Sequence, residues 1–478
     1  MSHEDKLDPD GIRNDGVPYY EADARRLQSY VDAAAALSRF RAPVLVHAGD
    51  PHERLYVAAF DGTGNDETKD PSHETNVAKI NDQVVALKDA GNDQISGGYV
   101  PGPGTQDHYL ARTLDGINGN TYKERIEQMY KQFIDKAWEW KKQDPKAEIR
   151  VAGIGFSRGS EQEAGFARLL HERGIQDPAG AVYTYDSHNQ ITHVEYTRPP
   201  LVEPGQVAQV VGLFDAVGTG EPVRDHDRRL PPSVISGFQI ISADERRGLF
   251  KSDRIIDPGM TPDGRFLGVI VAGVHSDVGG SYHRDGLAIR SDNLMIAHLN
   301  ALSDRPFLKP ESVPDDPRLN VVHRSEDGML IYRLGHKIDR LSPDGYNELL
   351  VPKREAAQVS DPYNAEPRDE VLNRQFERQA VKAGAQTVTP ESMREAPAND
   401  LSTRLDRLLA AGQANDWATF SRENQTLAYG NAGRNMLERA AEQAQWLEQQ
   451  AAQQQAAQQQ AMPAPPLLQS VQGPVMQH

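Results

Sequence analysis

Gly155-Phe156-Ser157-Arg158-Gly159 is a G-x-S-x-G pentapeptide set directly after the apolar run IRVAGI and before the helix-forming segment SEQEAGFARLL. A serine on a sharp strand-to-helix turn has its Oγ lifted clear of the sheet, and flanking glycines give the room such a turn requires. The chemistry this suits is nucleophilic acyl transfer, with Ser157 attacking a carbonyl carbon. The helix that follows aims its first N–H groups, Arg158 among them, at the place where an oxyanion would form. The pentapeptide alone is a weak signal, since an ordinary Gly-rich turn can carry it by chance. Its position between strand and helix is what makes it specific.

A serine nucleophile needs a base and an acid that orients the base, and on a strand–turn–helix elbow the chain order is Ser, Asp or Glu, then His. Two later strand ends supply that order. The run QVVGLF delivers Asp215 into the turn AVGTG, and LGVIVAGV delivers His275 into the loop SDVGG. Asp215 would hold the imidazole in one tautomer while His275 takes the serine proton. Asp277 is a rival or supporting acid, two residues from the histidine, and it could equally cap its own Gly-rich turn. The first strand ends in Asp61-Gly62-Thr63-Gly64-Asn65, so a second oxyanion N–H is expected from Gly62 or Thr63, with Asp61 in support. A plain turn with local Asp and Asn hydrogen bonds would leave the same pattern. Asp244-Glu245-Arg246-Arg247 reads as an internal salt-bridge cluster. Asp61, His275, Asp277 and His283 could in principle meet at a divalent cation. No recognised ligand spacing supports that, and it leaves the serine elbow unexplained, so no metal is expected.

These residues need a scaffold that brings strand ends together. Leu55–Phe60, Ile149–Ile154, Val207–Phe214 and Phe266–Ala272 are short apolar runs of buried-strand type. Between the first two, Tyr122, Ile126, Tyr130, Phe133, Ala137 and Trp140 recur at helical spacing. Alternating strands and helices predict an α/β fold with a mainly parallel sheet and helices on both faces, its chemistry beyond the carboxyl ends of the strands. The chain divides into an N-terminal extension (1–50), the α/β catalytic domain (51–300), a mixed, helical cap or accessory region (301–440) and a Gln-rich tail (441–478). Tyr99 to Thr105 reads as a Gly/Pro loop at the mouth of the cleft.

The charge sum, 52 Lys and Arg against 69 Asp and Glu, leaves −17 and argues against nucleic acid as a partner. It also removes broad attraction to anionic membranes. With no cysteine, disulfides, thiolate metal sites and cysteine nucleophiles are excluded. No run of about 18 apolar residues is present, so no transmembrane helix is expected. The acidic start MSHEDKLDPDGIRNDG has no apolar stretch of signal-peptide type, which predicts synthesis in the cytoplasm without such a signal. A mean hydropathy of −0.64 is low for a chain packed throughout, so polar extensions must dilute the core.

Taken together, FDGTGN (60–65), YVPGPGT (99–105), GFSRGS (155–160), VGLFDAVG (211–218), SADERRGLF (242–250) and GVHSDVGG (273–280) resemble an α/β-hydrolase-like domain of hydrolases of uncharacterised function. Its best-known members are class-1 lipase effectors of the type VI secretion system. The resemblance implies a Ser157–Asp215–His275 triad hydrolysing acyl esters of membrane phospholipids, without metal or organic cofactor. It further implies a cognate immunity protein, a secretion-machine partner, and delivery to the periplasm or membrane of a target cell. Triad chemistry does not name the leaving group, so a hydrolase of another ester remains open. A non-catalytic interaction protein on the same fold is the alternative from a different class. The resemblance ends near residue 300. Beyond it, Leu401–Leu409 with Trp417, Phe420 and Leu427 is expected to form amphipathic cap helices, and the Gln-rich tail reads as a solubilising end or a delivery signal.

Overall fold

Apolar runs flanked by helix-period segments build a seven-stranded sheet: β1 (Glu53–Phe60), β2 (Ile95–Val100), β3 (Glu148–Phe156), β4 (Gln209–Phe214), β5 (Val234–Ser242), β6 (Gly259–Met260) and β7 (Phe266–Val271). The computed structural model describes residues 7–62, 73–102, 119–185, 191–218, 227–348, 351–352, 355–359 and 365–384, all within the unit Met1–Met393. The sheet order is β6-β7-β5-β4-β3-β1-β2, and every neighbouring pair is parallel except β6 with β7. This is the α/β architecture expected from the sequence. The described helices are α1 (Ala24–Arg39), α2 (Asn76–Asp89), α3 (Gly119–Gln143), α4 (Arg158–Arg173), α5 (His275–Gly279), α6 (Gly286–Asn300), α7 (Leu330–Leu334) and α8 (Glu370–Asn373).

Strand β1 explains why its sequence is apolar without alternation. Leu55, Val57 and Ala59 join a cluster with α1, α2 and α6, while Tyr56, Ala58 and Phe60 join one with α3 and α4. Successive side chains point to opposite faces, so a strand covered on both faces must be apolar at every position. Each fully buried Leu, Val or Phe contributes about 1.5–3 kcal/mol relative to exposure. Helix α1 buries Leu27, Tyr30, Ala33, Ala34 and Leu37, a one-sided stripe, and is started by Asp23, whose side chain accepts the Arg26 N–H.

Two strands, β2 at one edge of the sheet and β5 inside it, escape the apolar-run reading. In β2, ISGGYV, Gly97 and Gly98 pass so close to Val57 and Tyr56 that a Cβ on either would collide. Tyr99 and Val100 therefore end a strand instead of opening a loop. In β5, VISGFQIIS, all nine residues are buried although Ser, Gly and Gln interrupt the run. Gln239 is accommodated because its side chain donates to the Asp253 carbonyl at 2.9 Å and accepts the Ile256 N–H at 2.8 Å.

The segments outside the sheet are stitched to each other and to it. Tyr19–Glu21 pairs antiparallel with Val321–His323, and Arg41–Pro43 pairs antiparallel with Arg378–Ala380. Among the described residues after 301, helix is confined to α7, α8 and single turns. The helices expected over 401–427, the Gln-rich tail and Thr63 lie outside the described residues. No described helix is long and apolar enough to cross a membrane.

Candidate active site

Ser157 stands between β3 and α4 with φ 59° and ψ −124°, a conformation that L-residues rarely adopt. Such a residue costs on the order of 1–3 kcal/mol and persists only where its surroundings over-determine it. Here its N–H donates to the Phe214 carbonyl at 3.0 Å and its carbonyl accepts the Ser160 N–H at 3.1 Å. The two flanking glycines are required by space. A Cβ at Gly155 would run into the backbone of Gly159 and Ser160, and one at Gly159 into the Phe60 carbonyl. The elbow is thus wedged against the end of β1. Arg158 is the first residue of α4, directly after the serine.

Asp215 follows β4 with φ 38°, its N–H held by the Ile240 carbonyl at 2.7 Å. His275 is the first residue of α5, just past β7. The two meet: His275 Nδ1 lies 2.6 Å from Asp215 Oδ2. The imidazole rests against the ring of Phe156, the residue before the serine, at 4.6 Å between centroids, and meets Phe250 edge-on at 5.1 Å. His275, Asp215 and Ser157 are all buried. Among the described residues, no hydrogen bond joins Ser157 Oγ to His275.

Several partners of this pair carry no sequence signal of their role. Ser242 donates both its N–H and its Oγ to Asp215, each at 2.9 Å, and Arg340 donates to both Asp215 oxygens. The Asp244–Arg247 stretch is the salt-bridge cluster anticipated, with Arg247 on Glu245 at 2.8 Å and Arg26 on Asp244 at 3.4 Å. It also faces the site: Glu245 accepts the His275 backbone N–H at 3.3 Å, and the Arg247 guanidinium lies over the Phe250 ring. Burial favours the neutral form of His275 and outweighs the attraction of Asp215, so its pKa falls below the ordinary 6.5. Burial alone would raise the Asp215 pKa, but the charge of Arg340 and the His275 hydrogen bond reverse this and hold the carboxyl well below its ordinary range. The arrangement presents a neutral imidazole oriented by an ionised carboxylate, which can accept a proton from a hydroxyl.

The remaining candidates are engaged elsewhere. Asp61 accepts from Thr75 Oγ1 at 2.9 Å, from the Tyr99 hydroxyl at 2.6 Å and from the Gly62 N–H at 2.6 Å. The Gly62 N–H expected at an oxyanion therefore turns to its neighbour's carboxylate, and Asp61 braces the ends of β1 and β2 against the start of α2. Asp277 accepts the Val274 N–H at 2.9 Å and the His323 Nδ1–H at 2.5 Å, which fixes α5 from behind. The His283 ring lies tilted against that of His73, 4.9 Å between centroids.

The family model of the type VI secretion system phospholipase effector Tle1-like catalytic domain matches residues 54–307. The chain belongs to this family. No curated protein matches it. Among solved structures, an uncharacterized protein from Pseudomonas aeruginosa is similar at 17% identity and TM-score 0.33, over 86% of this chain and 66% of that one. The Tle1 effector bound to the VgrG spike from the type VI secretion system is similar at 22% identity and TM-score 0.28, over 48% of this chain and 51% of that one. An acetyl xylan esterase is similar at 12% identity and TM-score 0.20, over 52% of this chain and 97% of that one. The chain thus spans about two thirds of the first structure and about half of the second. The Tle1-like span contains Ser157, Asp215 and His275 and ends before Arg340.

Proposed function

We propose that this protein hydrolyses acyl esters of membrane phospholipids through Ser157, His275 and Asp215. Family membership supports the substrate class. The observation that carries the chemistry is the buried Asp215–His275 hydrogen bond of 2.6 Å, with the imidazole against the ring of the residue before a strained serine elbow.

In this reading Ser157 Oγ attacks the ester carbonyl carbon while His275 Nε2 takes the hydroxyl proton. The tetrahedral oxyanion forms against the Arg158 N–H at the start of α4. Collapse breaks the ester C–O bond, and the histidine returns its proton to the departing lysophospholipid oxygen. Water then attacks the acyl-enzyme, its proton passing to His275, and the fatty acid leaves as Ser157 recovers its hydrogen. Asp215 remains ionised throughout and holds the imidazole tautomer. Delivery by a type VI secretion machine through a spike component, neutralisation by a cognate immunity protein, and action at a target cell's periplasm or membrane belong to the same proposal.

Fatty acid release from phosphatidylethanolamine and phosphatidylglycerol vesicles, for the purified protein and Ser157→Ala, tests it. The variant is expected to lose activity by about 10⁴-fold or more. Equal release from both would remove Ser157 from the mechanism. Turnover of small soluble esters without phospholipid release would point to another ester, and no release of either kind to a non-catalytic interaction protein.

A further inference from the structure

Arg340 lies 125 residues beyond Asp215 and outside the matched span 54–307, yet both of its terminal nitrogens end on that one carboxylate. Nη1 donates to Oδ1 at 2.9 Å and Nη2 to Oδ2 at 3.0 Å. The side chain is fully buried, and its Nε finds no hydrogen-bond partner among the described residues. A guanidinium that served packing alone would gain from pairing every buried N–H, since an unpaired one costs free energy. This one is committed to Asp215.

We infer that Arg340 is a positioning residue for the catalytic acid, forking both Asp215 oxygens so that Oδ2 faces His275 Nδ1. The inference rests on the serine-hydrolase reading, and it means that a segment outside the matched catalytic domain completes the catalytic centre. The backbone explains how the arginine arrives. Residues 336–338 run beside the loop that follows β5, with the Gly248 N–H on the His336 carbonyl and the Ile338 N–H on the Arg246 carbonyl, each at 2.9 Å. Lys337 Nζ ties the same segment to the carbonyls of Glu326 and Tyr332. Past Arg340 the chain turns back so tightly that a Cβ at Gly345 would meet the Asp339 carbonyl. The loop that receives this segment carries Glu245, the acceptor of the His275 N–H. Base and acid are therefore held by one surface.

The fork has an orienting and an electrostatic consequence. Bidentate guanidinium fixes the carboxylate plane as a single ammonium cannot. Ser242 donates to both remaining acceptor positions, so Asp215 accepts from three groups besides the imidazole: the Ser242 N–H, the Ser242 hydroxyl and Arg340. The charged groups acting on the imidazole are Asp215, Glu245 and Arg247, Arg340 sits behind them on Asp215 and Glu245, and Asp277 on the imidazole's own helix is turned to His323. Two anions face two cations. Without Arg340 the Asp215 charge acts on the imidazole uncompensated and stabilises its protonated form.

The test uses full-length protein with 13C-labelled histidine, His275→Gln assigning the resonance, together with kcat and KM on phospholipid vesicles. Arg340→Met is expected to raise the His275 titration midpoint by about one pH unit, and to lower kcat by about tenfold or more with KM little changed. Arg340→Lys keeps the charge without the fork; its midpoint should stay near that of the unmodified protein while kcat still falls. An unchanged midpoint and kcat in Arg340→Met would overturn the inference. Should that variant fail to fold, an unchanged kcat in Arg340→Lys would do so alone. The imidazole midpoint needs no turnover, so its shift supports the coupling even where an active Ser157→Ala sinks the hydrolase reading.

Discussion

His275 sits where its protonation can be read directly. Burial pushes its pKa below 6.5, so the imidazole is neutral and able to accept a proton at pH 7. The acidic limb of kcat/KM is expected to have its midpoint below 6.5, because in the proposed mechanism activity is lost only when pH falls far enough to protonate His275. A midpoint at or above pH 7 would mean that Asp215 dominates the imidazole and that the surrounding charges do not balance. Glu245 extends the same electrostatics. Burial would raise its carboxyl, but Arg247, Arg340 and His275 bring it down to about 2, so it stays ionised through the working range. His275 therefore keeps a fixed acceptor for its backbone N–H as well as for its side chain.

The elbow is a property of elements meeting, and its glycines report that meeting. Gly159 lets α4 start against the last residues of β1, and any side chain there must displace the Phe60 carbonyl. Gly159→Ala is expected to lower stability by about 1–3 kcal/mol, measured as a shift in the urea midpoint. It should also cost activity, since the displaced turn carries Ser157. An unshifted midpoint would show that the elbow can relax and that its close fit is not required. Helix α5 is too short to be stable alone, and its geometry comes from Asp277 at one end and the Phe156 ring against Gly279 at the other. The element that carries His275 is thus positioned by Asp277 and Phe156.

The N-terminal segment is tied to the rest of the unit through a chain of charges. His323 bridges Asp277 at 2.5 Å and Asp15 at 3.1 Å, while Arg284 pairs with Asp8 and Asp10. Burial opposes a charged His323, but the two aspartates prevail and raise its pKa to about 9. A raised folded-state pKa contributes stability that is complete below the unfolded value of 6.5 and disappears as pH rises through about 9. His323→Ala should therefore lower Tm strongly at pH 6, with the gap closing above pH 9; a gap independent of pH would sink this reading. The net charge of −17 acts on the molecule as a whole. Approach to anionic vesicles is opposed, and added salt screens that repulsion within about 10 Å at 0.1 M. Turnover of anionic vesicles should rise between low and moderate salt, with turnover of zwitterionic vesicles changing less. A fall with salt would reveal a local basic docking surface.

Local pattern alone made the serine elbow, the strand-end acid and histidine, and four of the sheet strands legible. Each rests on residues close in the chain: glycines at a tight turn, apolar runs covered on both faces, a helix-period stripe in α3. Strands β2 and β5 were not legible that way, because their glycines and Gln239 make sense only against Val57, Tyr56 and the Asp253 backbone. The same limit applies to Arg340, Ser242 and His323, which are ordinary polar residues until folding sets them beside Asp215 and Asp277. The engagement of the Gly62 N–H by Asp61 was equally hidden, since Thr75 and Tyr99 fix that carboxylate from elsewhere in the chain. Sequence determines what a turn or strand can present. Which distant charge compensates a buried carboxylate is decided by the three-dimensional packing, because only burial makes that compensation necessary.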